Sequence, residues 1–325
     1  MVSSHPRYNA KPEYRLTYAS LTFNSKCNAG CQNCCGQILN KPDMPLEKIK
    51  EVLDVVIQGL RIREVYPSCS AEMTLIPYIN VIVKYMEKIK IPGLIVTQDT
   101  NGRVIPEGFI ETLNSVTFTY HVSISIWGWD SESWNKYQGK GSFEKVTGNI
   151  RRYLLELKYP PTFSFPYITD EQYQKTLEFV KNLCAEYGYE TKAITDGTMS
   201  NITNIKNNGI IPVFIRKYSQ RKNEESKSMG VYEKGKLIDY IPFNNCGNLF
   251  SPICIDSLGN IYPCTGMNSY KPAIIGNVND YSPFTYKNLI EILHGEKAMK
   301  YLHDNYTSGK FACDICKSCS ARICN

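Results

Sequence analysis

No apolar run in the 325 residues reaches the roughly 18 needed to cross a bilayer. The opening residues, MVSSHPRYNAKPEYR, lack the apolar core of a secretory signal. A cytoplasmic chain with no membrane partner is therefore expected. Charge of one sign is not in strong excess either: 37 Lys and Arg stand against 31 Asp and Glu, a net charge of +6. That falls short of the basic excess of a dedicated nucleic-acid binder, so no nucleic-acid partner is expected. Internal repeats and long low-complexity segments are missing. Hydrophobic residues at 42% with charged residues at 21% exclude wholesale disorder. At roughly 150 residues per domain, the length suggests about two domains.

Cysteine, by contrast, is plentiful, with 13 in the chain. In a reducing cytosol so many thiols do not make a disulfide framework, and metal binding is the usual alternative. Cys27, Cys31, Cys34 and Cys35 fall near the start. Cys246, Cys254, Cys264, Cys313, Cys316, Cys319 and Cys324 fall in the last quarter, and Cys69 and Cys184 lie between. Cysteines that only fill local gaps would scatter, whereas clustering at short spacings points to ligation.

Hydrophobic periodicity gives the framework. Strand patterns cover Arg15–Phe23, Gly93–Thr97, Val116–Trp127, Thr162–Ile168 and Tyr189–Ile194, with a short strand before Pro67. Helical spacing covers Pro45–Leu60, Leu75–Ile89, Pro106–Leu113, Phe143–Leu157 and Asp170–Tyr187. Strands alternating with helices predict βαβ units around a parallel sheet. Six such pairs fit before residue 195, fewer than a full eight-fold barrel needs. The expected class is α/β: a partial (β/α)6 TIM-like barrel over 15–195 after a tail at 1–14. A partly irregular bridge at 196–245 and a small cysteine-rich α+β domain at 246–325 follow.

The first cluster reads CNAGCQNC, a C-x3-C-x2-C spacing between the first strand and the first helix. Three thiolates on one tight loop can face one cubane cluster, one ligand short of the usual four. A structural zinc would want four protein ligands, and no His lies nearby. With this loop in this context the chain resembles a radical S-adenosylmethionine (SAM) enzyme. The resemblance implies that Cys27, Cys31 and Cys34 hold a 4Fe–4S cluster whose open iron chelates SAM. It further implies reductive cleavage to a 5′-deoxyadenosyl radical that abstracts a substrate hydrogen. In the same family a Gly-Gly-Glu-Pro type turn after the second strand receives the SAM amine. Here Ser70, Ala71 and Glu72 occupy that turn. Thr97–Gly102 (TQDTNG) is similar to the family's TNG turn, making Asn101 a candidate SAM contact. Ser123 and Ser125 on the fourth strand are candidates for the SAM ribose or carboxylate. Asn33 stands where the family often has an aromatic.

The last quarter is similar to the SPASM or twitch extensions of that family, which hold one or two auxiliary 4Fe–4S clusters. The matching features are the Cys246-x12-Gly259-x4-Cys264 pattern, the GNIYPC hairpin, IGNV at Ile275–Val278, and a helix at Tyr286–Tyr301. The tail is C-x2-C-x2-C-x4-C. The family's interleaving would place Cys246, Cys254, Cys264 and Cys324 on one cluster and Cys313, Cys316 and Cys319 on a second. With seven cysteines for eight positions, the second cluster would have an open iron, take a ligand such as Asp314, or be missing.

Among the rest, Cys69 beside the SAM turn is a candidate hydrogen-atom donor, with a buried inert thiol as the plainer alternative. Cys35 packs beside the cluster in this reading. Cys184, on a helix with Leu177, Val180 and Leu183, reads as core, as does His121. Trp127, Trp129 and Trp134 line a pocket or cap the core. The resemblance implies peptide or protein modification, with dehydrogenation or epimerisation of a small molecule such as an amino sugar as the alternative. The basic excess suits a flavodoxin- or ferredoxin-type electron donor. A zinc-binding non-catalytic scaffold is the rival from another class, and an inactive relative is the third reading.

Overall fold

Eight parallel strands and two antiparallel edge strands form one mixed sheet of ten in the computed structural model. It describes residues 16–31, 42–67, 71–139, 141–167, 169–194, 209–217, 232–233, 236–237, 250, 252–265 and 271–306. The strands are β1 (Tyr18–Leu21), β2 (Glu64–Tyr66), β3 (Ile95–Thr100), β4 (Thr119–Ser125), β5 (Thr162–Tyr167), β6 (Glu190–Ile194) and β7 (Ile210–Lys217). A separate two-residue hairpin pairs β8 (Tyr232–Glu233) with β9 (Lys236–Leu237). Then come β10 (Pro252–Ile255), β11 (Asn260–Tyr262) and β12 (Gly276–Asn277). The large sheet runs β12-β11-β10-β1-β2-β3-β4-β5-β7-β6. Every pairing from β10 to β6 is parallel, while β10, β11 and β12 meet antiparallel.

The crossovers are helical, as parallel strands require. They are α1 (Leu46–Leu53), α2 (Ile79–Ile89), α3 (Phe109–Ser115), α4 (Ser131–Gln138), α5 (Phe143–Glu156) and α6 (Asp170–Ala185). Two more, α7 (Tyr286–Leu293) and α8 (Glu296–Tyr306), close the described chain. Local chemistry starts them. Asp130 and Ser133 form a reciprocal capping box on α4. Ser142 accepts from the Lys145 N–H on α5 at 3.0 Å. Thr169 accepts from the Gln172 N–H on α6 at 3.2 Å, with Asp170 and Glu171 at the positive end of that helix. α1 widens into a π-helical turn over Asp54–Gly59, which keeps Val55, Val56 and Ile57 against the core. Burying each such side chain is worth about 1.5–3 kcal/mol.

Alternation along the strands divides the sheet. Ala19, Leu21, Val65, Val96, Val122, Ile124, Phe163 and Val213 join the helices in one apolar core. The intervening residues carry mostly polar side chains, among them Ser20, Tyr66, Thr97, Asp99, His121, Ser123 and Thr162.

The structure departs from the sequence reading at α4, which that reading lacked, and in three further places. β7 lies inside the stretch read as an irregular bridge, and it inserts between β5 and β6. Ile211 and Val213 are buried there, but Pro212 between them and the surrounding Asn, Lys and Gly hide the pattern. The hairpin carrying Cys254 and Cys264 extends the main sheet through β10 on β1. The helix expected over Tyr286–Tyr301 breaks at His294–Gly295 into α7 and α8.

The turn of that hairpin depends on Asp256. Its Oδ1 accepts from the Leu258 and Asn260 N–H groups, each at 2.9 Å, and its Oδ2 accepts from Asn260 Nδ2 at 3.0 Å and the Tyr262 hydroxyl at 2.9 Å. Gly259 sits there at φ +80°, and an added Cβ would lie 2.7 Å from Val278. Gly93, at φ +73°, has nothing within 4 Å of that position. Gly93→Ala is therefore expected to cost about 1 kcal/mol from backbone conformation alone. Gly259→Ala adds a clash and is expected to cost about 2–4 kcal/mol. Denaturant unfolding of both variants checks this, and equal losses would contradict it.

Candidate active site

The loop after β1 emerges at the carboxyl end of the parallel strands, where α/β sheets place their ligands. It carries Cys27 and Cys31, both partly exposed. Cys34 lies outside the described residues. Ala29 N–H points at Cys27 Sγ at 3.5 Å, and Asn101 Nδ2 lies 3.8 Å from the same sulfur. Asn101 also donates to Asn28 Oδ1 at 2.8 Å, so the residue expected as a SAM contact holds the cysteine loop itself.

Glu72 organises the base of this loop. It is 2% exposed. Its Oε1 accepts from Thr74 N–H at 3.2 Å, Thr74 Oγ1 at 2.7 Å and Thr100 Oγ1 at 2.9 Å. Its Oε2 accepts from the Asn101 N–H at 2.7 Å. Burial pushes this carboxyl above the ordinary range, against the opposing pull of the Asn101, Thr74 and Thr100 donors. The main chain is tied in as well: Glu72 N–H donates to Lys26 O at 2.9 Å, and Asn24 Nδ2 donates to Glu72 O at 2.8 Å. The acid expected to meet the SAM ammonium thus spends its oxygens on the β3 turn and its backbone on the cysteine loop. Ala71 beside it is partly buried, and Cys69 and Ser70 lie outside the described residues.

Below the loop is the polar face of the sheet. Register sets Asp99 beside Ser123, Ser123 beside Thr162, and Ser125 beside Ser164. Ser123 is fully buried and Ser125 partly so. The hydroxyls of Ser20, Thr22, Ser123 and Thr162 are buried and find no partner among the described residues. Buried hydroxyls in native proteins are nearly always satisfied, so four orphans on one face mark where a polar ligand or water belongs. A partner rich in hydroxyl, amine and carboxylate groups fits this face, and thiols on a loop with exposed sulfur fit an iron–sulfur cluster.

Cys254 and Cys264 flank the hairpin and are buried. Cys246, Cys313, Cys316, Cys319 and Cys324 lie outside the described residues, as does Cys35. Cys184 is buried in α6, and burial pushes its thiol up to about 12, in keeping with a core role. His121 is likewise buried, on the polar face. The tryptophans divide. Trp134 is fully buried with its ring 5.8 Å from Phe143, as core. Trp127 is buried, and its carbonyl accepts from Gln172 Nε2 at 2.7 Å. Trp129 lies under Lys175 Nζ, 5.2 Å from its ring centre. The sequence reading missed Arg103, Gln138 and Gly139, which brace the cysteine loop. Their contacts run through main-chain carbonyls, which no side-chain pattern announces.

A parallel α/β sheet with a cysteine loop at its carboxyl end and a cysteine hairpin on its edge has the architecture of radical SAM enzymes with an auxiliary-cluster extension. Residues 246–320 match the family model of SPASM, an iron–sulfur cluster-binding domain, and the chain carries that domain. Among solved structures, SuiB of Streptococcus suis bound to precursor peptide SuiA superposes with a TM-score of 0.55 at 13% identity, over 93% of this chain and 76% of SuiB. BtrN in complex with AdoMet and 2-DOIA gives 0.52 at 14%, over 94% and 93%. Native anSMEcpe with bound AdoMet gives 0.56 at 16%, over 94% and 88%. This chain shares the fold of all three. None of the curated proteins matches the chain in sequence. No helix among the described residues is long and apolar enough to cross a membrane.

Replacing Glu72 with Gln would set its amide NH2 against the N–H of either Asn101 or Thr74, leaving a buried donor unsatisfied. Glu72→Gln is expected to lower unfolding stability by about 1–3 kcal/mol at neutral pH. Denaturant titration measures this, and unchanged stability would mean that the carboxylate does not hold the turn.

Proposed function

We propose that this chain is a radical SAM enzyme that modifies a peptide or protein substrate. The observation that carries the reading is the Cys27–Cys31 loop, tied by Asn101 to the β3 turn at the mouth of a polar sheet face. When bound, a 4Fe–4S cluster and SAM supply one-electron cleavage of the sulfonium and hydrogen abstraction from an unactivated carbon. Cys27, Cys31 and Cys34 would hold that cluster. Asn101 keeps the loop in register, and Glu72 keeps Asn101 in place. Ser123 and Ser125, with the orphan hydroxyls around them, would bind the polar groups of SAM and orient it. Burial of Ser20, Thr22, Ser123 and Thr162 would limit water beside the reacting groups. Cys246, Cys254, Cys264, Cys313, Cys316, Cys319 and Cys324 would hold one or two auxiliary clusters. In this scheme Cys69 is the hydrogen-atom donor, and a flavodoxin or ferredoxin, drawn by the chain's net positive charge, supplies electrons.

Peptides occupy two of the similar structures, SuiB with SuiA and anSMEcpe with Cp18Cys peptide, which supports the peptide reading. Dehydrogenation or epimerisation of a small polar molecule is the second reading. It is favoured by near-complete mutual coverage with BtrN, solved with 2-DOIA, and by the hydroxyl-rich face.

Protein purified anaerobically is expected to carry about 8 or 12 iron atoms per chain, at four per cluster, with matching sulfide. With reductant and SAM it is expected to release 5′-deoxyadenosine, and the Cys27→Ala/Cys31→Ala/Cys34→Ala variant is not. Zinc in place of iron, without SAM cleavage, would overturn the proposal in favour of a scaffold.

A further inference from the structure

Arg103 follows the Thr100–Gly102 turn and belongs to none of the sequence motifs, yet both terminal nitrogens of its guanidinium donate to main-chain carbonyls. Nη1 donates to Asn28 O at 2.6 Å. Nη2 donates to Gln138 O at 3.0 Å and to Gly139 O at 3.2 Å. The two segments it joins also touch directly. Gly30 N–H donates to Gln138 O at 3.1 Å. Gly139, at φ +81°, packs so closely that a Cβ there would lie 2.9 Å from Gly30 Cα. At Gly141 an added Cβ would meet the guanidinium carbon at 3.0 Å. The Arg103 backbone is fixed as well, its N–H donating to Asn101 Oδ1 at 2.9 Å.

This geometry differs from that of an ordinary surface arginine, which pairs loosely with one carboxylate and contributes little. One planar fork spans three carbonyls from two segments, and one of those carbonyls lies between Cys27 and Cys31. A lysine carries the same charge but cannot reproduce the fork. A fixed cation beside a thiolate loop also favours the more negative of two redox states.

Resting on the reading that this loop holds a cluster, we infer that Arg103 is its positioning residue. The guanidinium fork sets the spacing of Cys27 and Cys31 by clamping Asn28 against Gln138–Gly139. Its charge raises the reduction potential of the cluster the loop holds. Arg103 touches neither substrate nor the reacting atoms in this scheme; it acts through the loop.

The test uses the full-length, anaerobically reconstituted protein, with Arg103→Lys, Arg103→Met and Cys27→Ala beside it. The loop cluster is identified as the electron paramagnetic resonance signal that changes when SAM is added and that Cys27→Ala lacks. Two quantities are read on that signal: its midpoint potential, and its decay when a ferrous chelator is added. Arg103→Met is expected to lose the signal roughly 10-fold faster, as outer-shell losses do, and to shift the potential negative. Arg103→Lys is expected to restore the potential while still losing iron faster than wild type. Thermal unfolding by circular dichroism shows that the variants are folded, and the conservative Arg103→Lys keeps the test valid if Arg103→Met is not. Wild-type potential and iron retention in both variants would overturn the role. So would a weakened SAM affinity with both quantities unchanged, which would make Arg103 a SAM ligand. A wild-type protein with no SAM-sensitive signal would instead overturn the proposed function, and this role with it.

Discussion

The buried carboxylate of Glu72 is the constraint on which the candidate site depends. It stands where β2, β3 and the cysteine loop converge, and it collects donors from Thr74, Thr100 and Asn101. A lone buried carboxylate would be costly, but each donated hydrogen bond offsets part of the desolvation. What results is a fixed Asn101. That residue reaches on to Asn28 and Cys27, so the position of a thiol traces back through two side chains to one acid. The loop is positioned by hydrogen bonds within the chain itself, the kind of supporting shell that accurate placement of site groups needs.

The two faces of the sheet divide the work. One face packs Leu21, Val65, Val96, Val122 and Phe163 on the helices and supplies the bulk of the folding energy. The other carries Asp99, Ser123 and Thr162 in one row, with hydroxyls that cost stability unless something bonds them. Among the described residues those hydroxyls have no hydrogen-bond partner. Sacrificing that stability makes sense if a polar ligand enters and completes the bonds. The SPASM hairpin lies on the edge of the same sheet, with β10 pairing β1, the strand that leads into the cysteine loop. A rigid sheet thus connects the loop cysteines with Cys254.

Much of this was legible in the residues, for identifiable reasons. Long periodic stretches such as Phe143–Leu157 and Asp170–Tyr187 announced α5 and α6 because one face of each must be apolar. The segment CNAGCQNC, directly after the first strand pattern, announced the loop after β1. β7 escaped, since its apolar residues Ile211 and Val213 bracket Pro212 in a polar stretch. α4 escaped too: SESWNKYQ has only Trp134 and Tyr137 as apolar contacts, and Asp130 with Ser133 starts the helix through caps rather than periodicity. The role of Glu72 was legible in position but not in partners. Sequence marked it as an acid at the turn, while its bonds to Thr74 and Thr100 depend on the chain returning across β3. The bracing by Arg103 was invisible for a related reason, since its acceptors are backbone carbonyls.

The central claim is that the Cys27–Cys31 loop presents a cluster with an open position to SAM. Electron–nuclear double resonance on the reduced, reconstituted protein tests it most directly, using SAM labelled with 15N at the methionyl amine. The account predicts a hyperfine coupling between the label and the cluster, lost in Cys27→Ala. A protein that binds labelled SAM and carries iron–sulfur clusters, yet shows no coupling, would contradict it.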